Sequence, residues 1–286
     1  MVPESKQLLQ PSYTKATKKV LVEYVKNYVK RNKSLDVLSI ASNRCAICQT
    51  APTWVPEVHS SHQSYELWRA SSLDTDFRAS GELEASVVFS GAADVMYARG
   101  FLVGEVSKVI GPFKSQQDIG NIHSPYTELL QIAQAIDGAA YEAFWRTLVL
   151  NRTKIPSWYD ETGMIEVDMR KQSFVLFGKG PVPAGNDSIS AGMAGMLWHT
   201  AVFQKAMDNA TANRTFFLTK SGGTGIGPYG AQDGDLATVL LGSRRCIILR
   251  PQGPWYRVVG DAYVHGAMDG DYVKGGVAGA RVFPLC

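Results

Sequence analysis

The sequence predicts an α+β protein: an antiparallel β-rich body, a small sheet or barrel, with a helical insertion and an N-terminal amphipathic helix. Three observations carry this expectation. Short runs rich in β-branched and aromatic residues, broken by glycine and proline, occur over about 65–110 and again over 214–265. Between them, over about 120–210, apolar residues follow a helical period. Near the start, a lysine-rich stretch gathers its apolar residues on one helical face. Two units are expected: 1–34 as a basic amphipathic helix and linker, and 35–286 as a single α+β domain.

The first helix is expected over 15–32. Val20, Leu21, Tyr24, Val25, Tyr28 and Val29 fall at i, i+1, i+4, i+5, i+8 and i+9, with lysines on the other face. The aromatic residues belong to the apolar stripe, where they pack, and not among the lysines, where they would stack on bases. The reading is therefore a docked helix with a solvated basic back, and no nucleic-acid partner is expected. A short apolar segment (35–42) and an irregular stretch held extended by Pro52 and Pro56 come next. The first strands are expected within 65–71, 85–91 and 94–110. Ser124 and Pro125 read as N-cap and first position of a helix to about Ile136; it breaks at Asp137-Gly138 and resumes from Tyr141. Ile189, Met193, Met196, Thr200, Phe203 and Met207 mark a further helix from about Ser188 to Asn209. Strands are expected again at 214–220, 235–242, 246–250 and 255–265.

Length and composition bound the function. A chain of 286 residues with 45% hydrophobic content can bury a sizeable core. No run of eighteen uncharged apolar residues occurs, so no transmembrane segment is expected, and the polar N-terminus has no secretory apolar region. Four cysteines are sparse for a disulfide scaffold; a reducing, cytoplasmic compartment is expected. The net charge of +3 is unevenly spread: residues 1–33 hold eight Lys/Arg against Glu4 and Glu23. All of the excess basic character belongs to the first segment.

Gly225-Ile-Gly227-Pro-Tyr-Gly230 reads as G-x-G-x-x-G. A dinucleotide loop needs a strand before it and a helix after it, because the phosphate sits on the helix N-terminus. Here Asp233-Gly234-Asp235 leads into another strand, and Pro228 removes one amide. The stretch is expected to be an extended hairpin connection. The tail glycines are expected at turns and positive-φ positions, with Gly227-Pro228 and Gly253-Pro254 setting hairpin geometry.

A longer pattern contains this loop. Arg214-Thr-Phe-Phe-Leu-Thr219 is followed by Gly225, Gly227 and Pro228, then Gly234-Asp235, Val239-Leu240, Gly242 and Ile248-Leu249-Arg250. It ends in Val259-Gly260-Asp-Ala-Tyr263-Val-His265-Gly266-Ala-Met268-Asp-Gly270. Order and spacing resemble the C-terminal tail of fungal heterokaryon-incompatibility (HET domain) family proteins. Pro11-Ser-Tyr13 and Pro52-Thr-Trp54-Val-Pro56 extend the likeness upstream, with Val58 and Ala267 departing from the family's usual residues. The resemblance implies non-self recognition and programmed cell death as the process. It implies that this chain corresponds to the C-terminal part, without the N-terminal HET domain that carries the activity. A non-catalytic regulatory or scaffold role follows, with protein partners, the first being a HET domain in cis or in trans. The motif residues Gly225, Gly227, Pro228, Gly234, Asp235, Gly260, His265 and Gly266 are expected to be structural.

Two other constellations remain. Cys45, Cys48, His59 and His62 form C-x2-C-x10-H-x2-H, a candidate zinc site for an interaction module. The histidine gap is shorter than the usual three to five residues. A redox reading of the two cysteines lacks the helix N-terminus that would lower a thiol pKa. His265, with Asp261 and Asp269 nearby, is a candidate general base, but no nucleophile pairs with it in the sequence. His199 is expected to be a packed or surface residue. No catalytic residue and no cofactor is assigned; a degenerate fragment without separate function is the remaining alternative.

Overall fold

The computed structural model describes residues 15–41, 51–56, 77–91, 94–113, 125–151 and 206–286. Helix α1 (Thr17–Asn32) is followed by a 3-10 turn (Asp36–Ser39), strands β1 (Val87–Phe89) and β2 (Met96–Ile110), and helices α2 (Pro125–Ala135) and α3 (Gly138–Leu148). Six strands complete the chain: β3 (Arg214–Thr219), β4 (Thr224–Pro228), β5 (Leu236–Leu240), β6 (Cys246–Gln252), β7 (Trp255–Val264) and β8 (Arg281–Leu285). Helical residues 206–211 lead into β3. The expected strand at 65–71 and most of the expected helix at 188–209 lie outside the described residues.

The sheet closes on itself. Its order β1-β2-β3-β4-β7-β6-β5 is joined by a further β2–β5 pairing, so β2, β3, β4, β7, β6 and β5 form a six-stranded antiparallel barrel. Closure removes the free edges that an open sheet must protect. One long strand makes it possible. β2 pairs with β5 through Gly100–Glu105 and with β3 through Val106–Ile110, and two register shifts bend it between these partners. Its first residues project past the barrel, where β1 and β8 flank Met96–Ala98.

Alternation along the strands explains two apolar clusters. Ala237, Val239, Cys246, Ile248 and Ala262 point inward with Phe217 and Val264. Leu236, Leu240, Ile247 and Leu249 point outward into a second cluster with Met96, Ala98, Phe283 and Leu285. Because both faces of β5 and β6 are covered, these strands are almost continuously apolar. The α1 helix covers the second cluster through Val22, Val25 and Val29, with Tyr24 and Tyr28 half-buried at its flank. The buried line falls beside the expected stripe: Val20, at the start of that stripe, is only half-buried. Burial of each such side chain stabilises by about 1.5–3 kcal/mol, an upper value for valine, and this anchors a helix with no side-chain cap at Ala16.

The helical insertion covers another outer wall. Phe144 of α3 meets Phe216 of β3 edge-on at 5.2 Å, and Phe113 meets Tyr126 of α2 at 5.1 Å. The hydroxyls of Thr147 and Thr224, 2.7 Å apart, join α3 to β4 inside this apolar contact. The break expected at Asp137-Gly138 is present; Gly138 starts α3 with φ +51. Among the described residues no helix is long and apolar enough to cross a membrane.

Candidate functional site

The motif residues of the tail are separated in sequence and paired in space. Arg214 opens β3 and Asp261 lies on β7, with β4 between them. The Arg214 guanidinium donates to Asp261 Oδ1 at 2.9 Å and to the Asp261 carbonyl at 2.6 Å. Both side chains are buried, at 2% and 0% exposure. An ion pair taken this far from water depends on both partners, since either alone would be an uncompensated buried charge. It ties three strands across the joint where β4 meets β7 through only two registered pairs, Gly225↔Val264 and Ile226↔Tyr263.

Asp235 and Arg250 make the second pair. Arg250 Nε and Nη2 reach Asp235 Oδ1 and Oδ2 at 2.8 and 3.0 Å, and Nη2 also donates to the Gly230 carbonyl at 2.6 Å. Asp235 Oδ2 accepts the Gln232 amide at 2.8 Å. This bidentate fork closes the β4–β5 connection. Gly234 precedes it at φ +86, a position where a side chain is strained.

Gly225, Gly227 and Pro228 differ from expectation. They lie within strand β4 and not in a hairpin connection. The reason is lateral space. A Cβ on Gly225 would stand 2.3 Å from Phe217 Cζ, and one on Gly227 would stand 3.1 Å from Phe217 Cδ1. The glycine pair therefore leaves a slot across which the ring of Phe217 lies inside the barrel. Pro228 ends the strand, its carbonyl accepting from the Thr215 hydroxyl at 3.1 Å. The tight turn is instead Thr219–Gly223, where the Gly223 amide donates to Thr219 Oγ1 at 2.9 Å. Gly260 (φ +153) sits where the β6–β7 register shifts, and Gly266 (φ +76) turns the chain after β7.

The upstream Pro-Thr-Trp-Val-Pro element is equally structural. Trp54 is fully buried; its Nε1 donates to the Asp94 carbonyl at 3.0 Å and its ring meets Phe89 at 5.6 Å. The Thr53 amide and hydroxyl both donate to the Cys286 carbonyl, and Thr53 Oγ1 accepts the Val258 amide at 2.9 Å. Residues 52–55 thus stitch β1–β2, β7 and β8 together.

One polar cluster remains, at the seam between α3 and the end of β7. His265 Nδ1 and Tyr263 Oη are 3.2 Å apart. Glu142 accepts from Trp145 Nε1 at 2.9 Å and from Arg146 Nε at 2.7 Å, and Arg146 reaches Asn151 Oδ1 at 2.9 Å. Burial, and then the neighbouring Arg146 charge, lowers the His265 pKa, with Glu142 and Asp269 opposing. The imidazole is therefore neutral at pH 7. Burial raises the Tyr263 phenol well above its usual range, so it stays protonated. Asp261, grouped with His265 in the sequence, points instead to Arg214. Its partner was not identifiable from sequence. The one available signal was a single acidic residue inside the apolar run Val258–Val264, which demands a buried cation. Cys45, Cys48, His59, His62 and His199 lie outside the described residues.

Residues 189–276 match the family model of the Het-6 beta-barrel domain, a heterokaryon-incompatibility-related family. The matched span contains β3 through β7, five of the six barrel strands, while β2, which closes the ring, lies outside it. No curated protein and no solved structure matches the chain.

Proposed function

We propose that this chain is a non-catalytic regulatory or scaffold portion of a fungal heterokaryon-incompatibility protein, acting in non-self recognition that ends in cell death. The observation that supports it is the Het-6 beta-barrel match over 189–276, lying on a barrel whose motif residues serve packing. Arg214 and Asp261 hold three strands, Asp235 and Arg250 close a loop, and Gly225 and Gly227 make room for Phe217. Residues so engaged keep a barrel rigid, which is what a scaffold requires. The barrel holds and restrains an incompatibility domain, in the same polypeptide or supplied in trans.

The test is expression in fungal cells of an incompatibility domain alone, this chain alone, and both together. This chain alone should leave cells viable, and its presence should change the extent of death caused by the domain. An Arg214→Met variant, which weakens the barrel by removing the buried pair with Asp261, should reduce that effect. Death caused by this chain alone, or no influence on the domain, would sink the reading.

A further inference from the structure

Three arginines of the barrel strands and their turns are mostly buried, and the fold answers two of them. Arg214 is paired with Asp261, and Arg250 with Asp235. Arg245, the residue before β6, is 9% exposed. Its Nε is fully enclosed without a hydrogen-bond partner, and its guanidinium makes no ion pair among the described residues. Nearby carboxylates are committed to other groups: Asp36 accepts the Arg244 amide at 2.9 Å and faces its guanidinium, and Glu82 pairs with Arg78. The main chain here is pinned. The Ser243 hydroxyl donates to the Arg245 carbonyl at 2.8 Å, and the amides of Ala79 and Ser80 donate to the carbonyls of Arg244 and Ser243 at 3.0 and 3.2 Å. The next residue, Cys246, is buried in the barrel, so Arg245 is held at the wall by the turn before it and by β6 after it. A guanidinium does not lose its proton in a protein, so neutralisation cannot relieve its burial. A buried charge is strongly unfavourable unless it is paired and hydrogen-bonded.

We propose that Arg245 anchors an oxyanion site at the β5–β6 turn, taking a small anion of the carboxylate or phosphate type. The chemistry of the side chain selects this class. The planar guanidinium fork matches two oxygens of either group, and a neutral ligand would leave the buried charge uncompensated. Arg250 shows the fork engaged in this same barrel, with Nε and Nη2 on the two oxygens of Asp235 at 2.8 and 3.0 Å. In Arg245 the Nε is closed off, so the anion meets the outer Nη pair end on. Asp36 and Glu82 stand on the segments bonded to this turn. Their charges disfavour a polyanion such as nucleic acid and leave a small anion as the ligand.

Calorimetric titration and thermal melting of the full chain test the inference, with acetate and inorganic phosphate as separate probes and chloride added to constant ionic strength. A probe that binds should raise the melting temperature by about 3–5 °C at tenfold excess over its Kd. A response to either probe supports the site, and the one that acts tells carboxylate from phosphate. Arg245→Met should melt higher than the unaltered chain in chloride, because it removes a buried charge that has no partner, and it should respond to neither probe. Arg245→Lys keeps the charge but loses the fork, and it should bind about tenfold more weakly. Arg244→Gln, at the exposed neighbour, should respond as the unaltered chain does. No response of the unaltered chain to either probe overturns the inference. An equal rise in the unaltered chain and in Arg245→Met is the general effect of excluded salts, and it overturns the inference too. A lower melting temperature for Arg245→Met in chloride means that the arginine already has a partner within the chain, which also overturns it.

Discussion

Gly225→Ala should destabilise the barrel far more than a surface glycine replacement. The added Cβ would lie 2.3 Å from Phe217 Cζ, 2.7 Å from Phe217 Cε1 and 2.7 Å from the Tyr263 carbonyl oxygen. Favourable carbon contacts lie at about 3.5–4.0 Å, so these are deep overlaps. Phe217 has 0% exposure, so its ring is enclosed by the protein and cannot swing out into solvent. Tyr263 O is backbone, and moving it disturbs a β4–β7 joint of only two registered pairs. Overpacking costs about 1–3 kcal/mol when side chains can yield, so about 3 kcal/mol is expected here. The backbone gain of alanine over glycine in a strand offsets only about 0.5–1 kcal/mol of this. Urea unfolding followed by tryptophan fluorescence measures it, and the melting temperature should fall by about 5–10 °C. Gly230→Ala is the control, because its nearest neighbour would be Val259 Cγ1 at 3.9 Å. Adding Phe217→Leu to Gly225→Ala should recover part of the loss, since the two residues share one space. A Gly225→Ala midpoint matching that of Gly230→Ala would refute the argument.

Three further outcomes follow from the same contacts. Arg214→Met removes the guanidinium that faces the buried Asp261 carboxylate, so it should cost about 3–5 kcal/mol, and a chemical-denaturation cycle with Asp261→Asn should show strong coupling between the two sites. Thr53→Val removes the hydroxyl; the Cys286 carbonyl keeps the Thr53 backbone amide, but the buried Val258 amide loses its acceptor, so about 1–3 kcal/mol should be lost, with faster exchange of the Val258 amide in β7 as the local readout. His265 is a base whose folded pKa is lowered, so its neutral form favours the fold. That contribution is complete above the unfolded value of 6.5 and is lost as pH falls below it toward the folded value. Urea midpoints at pH 7.5 and pH 5 should therefore diverge more for the unaltered chain than for His265→Gln, and parallel profiles would count against a buried neutral imidazole.

Much of the local structure was determined by the sequence alone. The apolar runs starting at Arg214, Leu236, Cys246 and Trp255 are strands because alternating β-branched and aromatic residues suit a pleated surface with covered faces. The breaks at Asp137-Gly138 and Gly253-Pro254 needed only backbone chemistry. The α1 helix was legible from its period, although its buried line was set by which residues meet the sheet.

Tertiary structure decided everything that depends on residues far apart in the chain. Nothing within Thr224–Pro228 marks it as a strand, since glycine and proline are poor strand formers; it is one because Phe217 on the neighbouring strand needs the slot. Strand β8 carries a proline at position 284 and forms where β2 extends beyond the barrel and offers it a partner. The partners of Asp261, Asp235 and Thr53 lie 47, 15 and 233 residues away. Barrel closure likewise rests on β2 reaching both β5 and β3. A sequence records which groups cannot be buried alone, such as a carboxylate in an apolar run. Which group answers it is a matter of distance, and distance exists only after the chain has closed.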